Sequence, residues 1–290
     1  MTTVLDVQRF KDEGRRFAVL TAYDFLSAKI LDEAGIPVLL VGDSLGMVVL
    51  GYPTTLPVTL DDMLHHAKAV ARGARQALLV GDMPFMSYHA SVEQAITSAG
   101  RFVQEAGMHS VKLEGGGRVI EITRRLTELG IPVMSHIGLT PQFVHQMGGF
   151  KVQGKTDAQA AQILADAKAL EQAGAFSIVL EGVPSQLAAH ITKALRIPTI
   201  GIGAGPGTDA QVLVLHDMLG LTTGKAPKFV KRYANLAEEI SRAATSYADD
   251  VRNEKFPGPE HEYSANGSAP AKDTEEVRYG PPHAGGAGTT

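Results

Sequence analysis

Five largely apolar runs in this chain stop at an acid or a histidine, and that pattern constrains its fold more than any other feature. Pro37-Val38-Leu39-Leu40-Val41-Gly42 ends in Asp43-Ser44; Ala77-Leu78-Leu79-Val80-Gly81 ends in Asp82; Ser110-Val111-Lys112-Leu113 ends in Glu114. Ile131-Pro132-Val133-Met134-Ser135 ends in His136, and Phe176-Ser177-Ile178-Val179-Leu180 ends in Glu181. Short runs of this kind suit strands covered by helices on both faces of a parallel sheet. If the strands are parallel neighbours, all five polar exits point into one space.

Between them the chain repeats one unit of helix, glycine corner and strand. Helical spacing is read over 25–34, 60–72, 91–106, 118–129, 158–173 and 184–195. Further strands are expected at Phe17–Ala22, exiting at Tyr23-Asp24, at Thr199–Gly203, and at Val212–Leu215, exiting at His216-Asp217. Eight such units in roughly 220 residues predict an α/β fold of the (β/α)8 TIM barrel type, because a doubly wound sheet normally uses fewer strands. A short helix at 4–13 is expected to cover one end, and 234–255 reads as a closing helix. In such barrels sites form at the C-terminal strand ends, where the polar exits lie.

Composition narrows the partners. Lys+Arg 27 against Asp+Glu 31, with no basic run, argues against nucleic acid and anionic membranes and for a small-molecule substrate. The absence of cysteine excludes disulfides, thiolate metal sites and a cysteine nucleophile. Met1–Arg15 lacks the apolar region of a signal peptide, and no apolar run approaches the roughly 20 residues of a bilayer span, so a cytoplasmic protein is expected. Residues 264–290, rich in Gly, Pro, Ala and Thr, predict a disordered tail behind one catalytic domain of residues 1–263.

The strand ends suggest metal chemistry. Asp43, Asp82 and Glu114 offer hard oxygen ligands without competing thiolates, which favours Mg²⁺ over three separate helix-capping acids. Lys112 lies two residues before Glu114, so both side chains face one way on a strand. Among acids it is expected as an ammonium for a substrate carboxylate; a Schiff base needs a lowered pKa, and a plain core ion pair is the structural alternative. Glu181, on a different part of the ring, is a candidate general base, with N-capping of the next helix as competitor. His136 is expected to orient substrate, ligate metal or stand hydrogen-bonded behind the ligands. Ser44 has no evident base partner and is expected to contact substrate through its hydroxyl. The connections 44–59 and 137–156 are long for this fold and leave the same face, as lids or as packing segments. The stretch Gly201-Ile202-Gly203-Ala204-Gly205-Pro206-Gly207-Thr208-Asp209-Ala210 carries a dinucleotide-type glycine pattern only formally and is read as tight loop geometry or close approach to a ligand, with a phosphate grip as the alternative.

From Val4 to Tyr263 the chain resembles the ketopantoate hydroxymethyltransferase family. The phrases that carry the resemblance are Leu20-Thr21-Ala22-Tyr23-Asp24, Val41-Gly42-Asp43-Ser44-Leu45-Gly46-Met47, Thr55-Leu56-Pro57-Val58-Thr59, Gly81-Asp82-Met83-Pro84-Phe85, Val111-Lys112-Leu113-Glu114-Gly115, His136-Ile137-Gly138-Leu139-Thr140-Pro141-Gln142 and Gly201-Ile202-Gly203-Ala204-Gly205. The resemblance implies a barrel of the phosphoenolpyruvate mutase/isocitrate lyase-like group, Mg²⁺-dependent and assembled as a homodecamer or other homo-oligomer. It implies transfer of a one-carbon unit from methylene-tetrahydrofolate to 3-methyl-2-oxobutanoate through an enolate and an aldol-type addition. Carried over by position, Asp43 and Asp82 hold the metal, Glu114 contacts it directly or through water, Ser44 and Lys112 bind the keto acid, and Glu181 is the base. Met86 and Ser135 stand where glycine is expected, at what reads as the pocket edge. The competing readings are another Mg²⁺-dependent keto-acid lyase or aldolase of the same group, against which the missing cysteine counts, and a non-catalytic barrel.

Overall fold

A computed structural model describes residues 1–224 and 226–263; the tail expected over 264–290 lies outside them. Among the described residues Met1–Ala237 forms one compact unit, and 238–263 belong to a second. The first unit contains β1 Phe17–Thr21, β2 Val38–Val41, β3 Leu78–Asp82, β4 Ser110–Glu114, β5 Val133–Gly138, β6 Ser177–Glu181, β7 Thr199–Ile202 and β8 Ala210–Leu213. They close into a barrel in sequence order, each strand parallel to both neighbours. The helices are α1 Val4–Asp12, α2 Phe25–Glu33, α3 Leu45–Val48, α4 Leu60–Gly73, α5 Val92–Gln104, α6 Arg118–Glu128, α7 Val144–Met147, α8 Asp157–Gln172, α9 Ser185–Ala194, α10 Leu215–Met218 and α11 Leu236–Arg252. Side-chain caps start many of them: Thr3 with Asp6, Thr59 with Asp62, and Thr156 with Gln159 each satisfy otherwise orphaned N–H groups.

The barrel expected from the sequence therefore forms, with one correction. The eighth strand runs over Ala210–Leu213, not Val212–Leu215, so His216 and Asp217 lie in α10 and are not a strand exit. Pairing decides this: Ala210 must sit opposite both Phe17 and Ile200 to close the barrel, and the Leu215 N–H is already taken by Thr21 Oγ1 at 3.0 Å.

Strand periodicity then places the polar exits. Val38, Leu40, Leu78, Val80, Met134 and Val179 fill the barrel interior together with Val7 and Phe10 of α1, which seals the N-terminal end. Continuing the same inward register by twos reaches Asp82 from Val80, Glu114 from Lys112, His136 from Met134 and Glu181 from Val179. The alternate residues, among them Leu39, Val41, Leu79, Val111 and Leu113, pack outward against the helices.

Gly81 shows how tightly that outer layer is filled. A Cβ there would lie 2.4 Å from Phe102 Cδ1, and Phe102 is fully buried. Gly81→Ala is expected to destabilise the fold by about 1–3 kcal/mol through overpacking, read as a lower urea midpoint; an unchanged midpoint would mean that the Phe102 layer relaxes freely.

The helix read over 234–255 forms as α11, and none of its residues is buried. Among the described residues no helix is long and apolar enough to cross a membrane.

Candidate active site

At the C-terminal mouth of the barrel, Asp43, Asp82 and Glu114 are 4%, 2% and 1% exposed. One oxygen from each lies within 4.8 Å of the other two. Asp43 follows β2, where its backbone N–H donates to Asp82 Oδ2 at 3.2 Å. Lys112 Nζ donates to both oxygens of Asp82, at 2.7 and 2.8 Å, and to Glu114 Oε1 at 3.2 Å. His136 Nδ1 lies 3.2 Å from the same Glu114 oxygen, while its Nε2 lies 3.3 Å from Glu181 Oε2. Ser44 Oγ is 2.8 Å from Tyr23 Oη. All seven site residues expected from the sequence line one cavity of about 480 Å³.

Electrostatics inside this cluster follow from burial and charge. Burial, then repulsion by Asp82 and Glu114, pushes the Asp43 carboxyl well above the usual carboxylate range. Burial also raises Asp82, although Lys112 opposes it. Burial would raise Glu114 as well, but Lys112 and then His136 hold it down at about 2. For Lys112, burial favours the neutral amine, yet Asp82, Glu114 and Asp43 outweigh it and raise its pKa, so the side chain is an ammonium. His136 is likewise opposed by burial but lifted to about 9 by Glu114, which makes it an imidazolium between two carboxylates at neutral pH.

The oxygen-only donor set fits a hard divalent cation. The three buried carboxylates carry more negative charge than the Lys112 ammonium and the His136 imidazolium offset, and burial first, then repulsion between the acids, raises Asp43 and Asp82.

Competing roles for the same residue types are resolved by contacts. Asp24, also at a strand exit, caps α2 by accepting from the Ser27 N–H at 2.8 Å. Glu181 makes no such bond: the N-cap of α9 is Pro184, and no side chain caps the helix. Both long connections reach the cavity: Met47 and Thr55 come from the first, Phe150, Lys151 and Val152 from the second. The glycine-rich stretch is closely packed, and Ile202 and Gly203 also line the cavity. Gly203 has φ +60° and a Cβ there would lie 2.8 Å from Phe229, while one at Gly205 would meet Ser185 and one at Gly207 would meet Ala189 of α9.

Neither departure from the family pattern lines the cavity. Met86 holds φ +65°, a left-handed position that glycine occupies without strain. Ser135 is fully buried on β5, in the residue alternate to inward-facing His136. Sequence reading assigned no role to Tyr23, Tyr88 or Gln142, which support the site from behind. Gln142 and Tyr23 stand inside the family phrases, but their chemistry is neutral and carries no signal until the fold brings them to the acids.

The geometry can be set beside known proteins. The family described as "Ketopantoate hydroxymethyltransferase" matches residues 1–259. The 3-methyl-2-oxobutanoate hydroxymethyltransferase of Syntrophus aciditrophicus is 58% identical over 257 residues, covering 89% of this chain and 94% of that protein. The enzyme of the same name from Chloroflexus aurantiacus is 59% identical over 259 residues, covering 89% and 92%. Among solved structures, a phosphonopyruvate hydrolase superposes with TM-score 0.58 at 14% identity, over 88% of each chain. A 2,3-dimethylmalate lyase of the PEP mutase/isocitrate lyase superfamily does so with TM-score 0.57 at 16% identity, over 91% and 92%. At that identity the two structures speak to the fold alone, which is the barrel group expected. The chain belongs to the ketopantoate hydroxymethyltransferase family, and its activity is hydroxymethyl transfer to 3-methyl-2-oxobutanoate, a step of pantothenate biosynthesis.

Proposed function

We propose that this cavity performs the transfer with Glu181 as general base, Asp43, Asp82 and Glu114 as the metal ring, and Ser44, Lys112 and His136 on the keto acid. The observation that carries the reading is that a carboxylate, Glu181, faces the oxygen ring across His136 inside one cavity. The cation proposed is Mg²⁺; the related phosphonopyruvate hydrolase structure is a complex with oxalate and Mg²⁺, a hard cation beside a small dicarboxylate. Bound at the ring, Mg²⁺ supplies a Lewis acid toward the oxygens of the keto acid.

The remaining work belongs to side chains. The Lys112 ammonium and the His136 imidazolium attract the substrate carboxylate, and the Ser44 hydroxyl, oriented by Tyr23, offers a further hydrogen bond. This holds C3 toward Glu181, whose side chain is 17% exposed and outside the ring of proposed ligands. Glu181 removes the C3 proton. Water breaks both C–N bonds of the donor's methylene group, releasing tetrahydrofolate and a formaldehyde equivalent, and the enolate carbon bonds to that one-carbon unit, whose oxygen takes up the proton to become the hydroxymethyl group. His136 Nε2, 3.3 Å from Glu181 Oε2, orients the Glu181 side chain toward the substrate before the proton moves.

Methylene-tetrahydrofolate is the donor proposed. The cavity is far larger than a five-carbon keto acid, and its outer part is lined by Phe150, Val152 and Phe229 with Lys151 and Lys228. Apolar rings beside two ammonium groups suit an aromatic donor that carries carboxylates. We also propose that residues 1–263 act as one catalytic domain, in the cytoplasm where a biosynthetic step of this kind belongs, and as a homo-oligomer, a decamer or another closed form. Ile240, Tyr247 and Val251 on α11, at 57%, 58% and 45% exposed, support assembly, because exposed apolar faces mark contacts.

Proton NMR of 3-methyl-2-oxobutanoate in D₂O tests the reaction. Mg²⁺-dependent loss of the C3 proton, followed by product on adding methylene-tetrahydrofolate, is expected; exchange without transfer would remove that donor. Asp82→Asn tests the ring. The variant is expected to lose at least about 100-fold in divalent-cation affinity, since even partners behind metal ligands are worth 10–100-fold. Unchanged affinity would take Asp82 out of the ligand set.

A further inference from the structure

Gln142 commits every polar atom of its side chain to the metal ring and its supports. It is 3% exposed and lies in a 3-10 turn, Pro141–Phe143, after β5. Its Nε2 donates to Asp43 Oδ2 and to the Met83 carbonyl, both at 2.9 Å. Its Oε1 accepts from Tyr88 Oη at 2.7 Å, and Tyr88 Oη in turn accepts from the Glu114 N–H at 3.1 Å. The Gln142 backbone N–H donates to Glu114 Oε2 at 3.1 Å. The amide orientation is forced, because a flip would turn its oxygen toward a carboxylate and a carbonyl.

One residue thus holds an oxygen of Asp43 beyond β2 and an oxygen of Glu114 on β4. For Asp43 the bond from Gln142 is the sole side-chain hydrogen bond among the described residues. Without it no hydrogen bond among the described residues holds the side chain of a buried carboxylate that Asp82 and Glu114 repel. Gln142 also stands at the base of the connection that carries Phe150, Lys151 and Val152 to the cavity mouth, whose far end is tied by the Gln153 N–H to the Gly182 carbonyl at 2.8 Å.

We propose that Gln142 is a positioning residue that sets the cation affinity of the Asp43–Asp82–Glu114 ring and links it to the seating of the 137–156 connection. The proposal rests on the reading of the ring as a metal site. Linkage runs both ways: if the seated connection tightens cation binding, the bound cation seats the connection by the same factor.

The probe is Mn²⁺, with free ion followed by electron paramagnetic resonance on the parent protein, Gln142→Leu and Tyr88→Phe. Gln142→Leu is expected to bind Mn²⁺ about 10–100-fold more weakly, and to recover most of its C3 exchange rate once Mn²⁺ is saturating. Tyr88→Phe is expected to weaken binding in the same direction by less, because the bond from Nε2 to Asp43 survives. Amide exchange over residues 144–152 is expected to slow on Mn²⁺ binding in the parent and not in Gln142→Leu, a difference that general loss of stability does not produce.

Several results would overturn the proposal. Parent-like Mn²⁺ affinity in Gln142→Leu is one, and Mn²⁺ protection of 144–152 that is equal in both proteins is another. Exchange chemistry lost in Gln142→Leu at saturating Mn²⁺ would place Gln142 in the reaction itself. If Gln142→Leu does not fold, parent-like affinity in Tyr88→Phe decides against the link. Parent Mn²⁺ binding that Asp82→Asn leaves untouched would instead bring down the metal reading, and the proposal with it.

Discussion

Glu181→Gln is expected to slow exchange of the C3 proton of 3-methyl-2-oxobutanoate by about 10²–10⁴-fold, the usual contribution of a general base. Glutamine keeps the volume of Glu181 and leaves an oxygen to face His136 Nε2, 3.3 Å away in the parent, so the imidazole keeps its place between two acceptors. What it loses is basicity. Cation affinity and keto-acid binding should therefore stay near the parent values, because Glu181 lies outside the oxygen ring. The measurement is the same D₂O exchange with Mg²⁺ saturating, alongside titration of the keto acid. Parent-like exchange in this variant would remove Glu181 as the base. A loss of binding equal to the loss of exchange would instead make it a substrate-holding residue.

The second large effect concerns Lys112. Its ammonium is 5% exposed and donates to both oxygens of Asp82 and one of Glu114. Lys112→Met keeps much of the volume and removes the charge, leaving buried carboxylates without their main counter-ion. Breaking a buried pair from one side costs about 3–5 kcal/mol, so the metal-free variant is expected to unfold at markedly lower temperature or denaturant. Saturating Mg²⁺ should restore part of that loss, since a ligand bound to the native state alone stabilises it, and a dication in the ring replaces the missing charge. Catalysis should stay poor even with Mg²⁺, because the substrate carboxylate loses its cation. Metal-free Lys112→Met as stable as the parent would show that the Asp82 and Glu114 charges are compensated without Lys112.

Much of this site is legible in the sequence because strand periodicity carries it. Lys112 and Glu114, two residues apart, must share a face, and the structure brings Lys112 Nζ within 3.2 Å of Glu114 Oε1. Runs ending in Asp43, Asp82, Glu114, His136 and Glu181 place five groups at one end of the barrel as soon as the strands are parallel. The eighth strand was harder to read. Val212-Leu213-Val214-Leu215 is more apolar than the true strand, which contains Gln211, and only the pairing of Ala210 with Phe17 and Ile200 moves the element two residues back. The N-capping alternative for Glu181 is chemically sound and fails because the N-cap of α9 is Pro184 and no side chain caps the helix.

The sequence by itself determined the barrel, the end at which its site lies and the charged groups that line it, since alternation and strand order are local properties of the chain. Only the tertiary structure decided how those groups act on one another. That Glu114 is held down at about 2 while Asp43 is pushed up depends on which acid Lys112 and His136 reach, and that is a matter of ångströms between strands. The same holds for Gln142, a neutral amide that becomes the joint between two carboxylates because closing the barrel brings the end of β5 beside the ends of β2 and β4. Periodicity gives direction, and distance, which sets electrostatic strength in a buried site, exists only after the chain has closed.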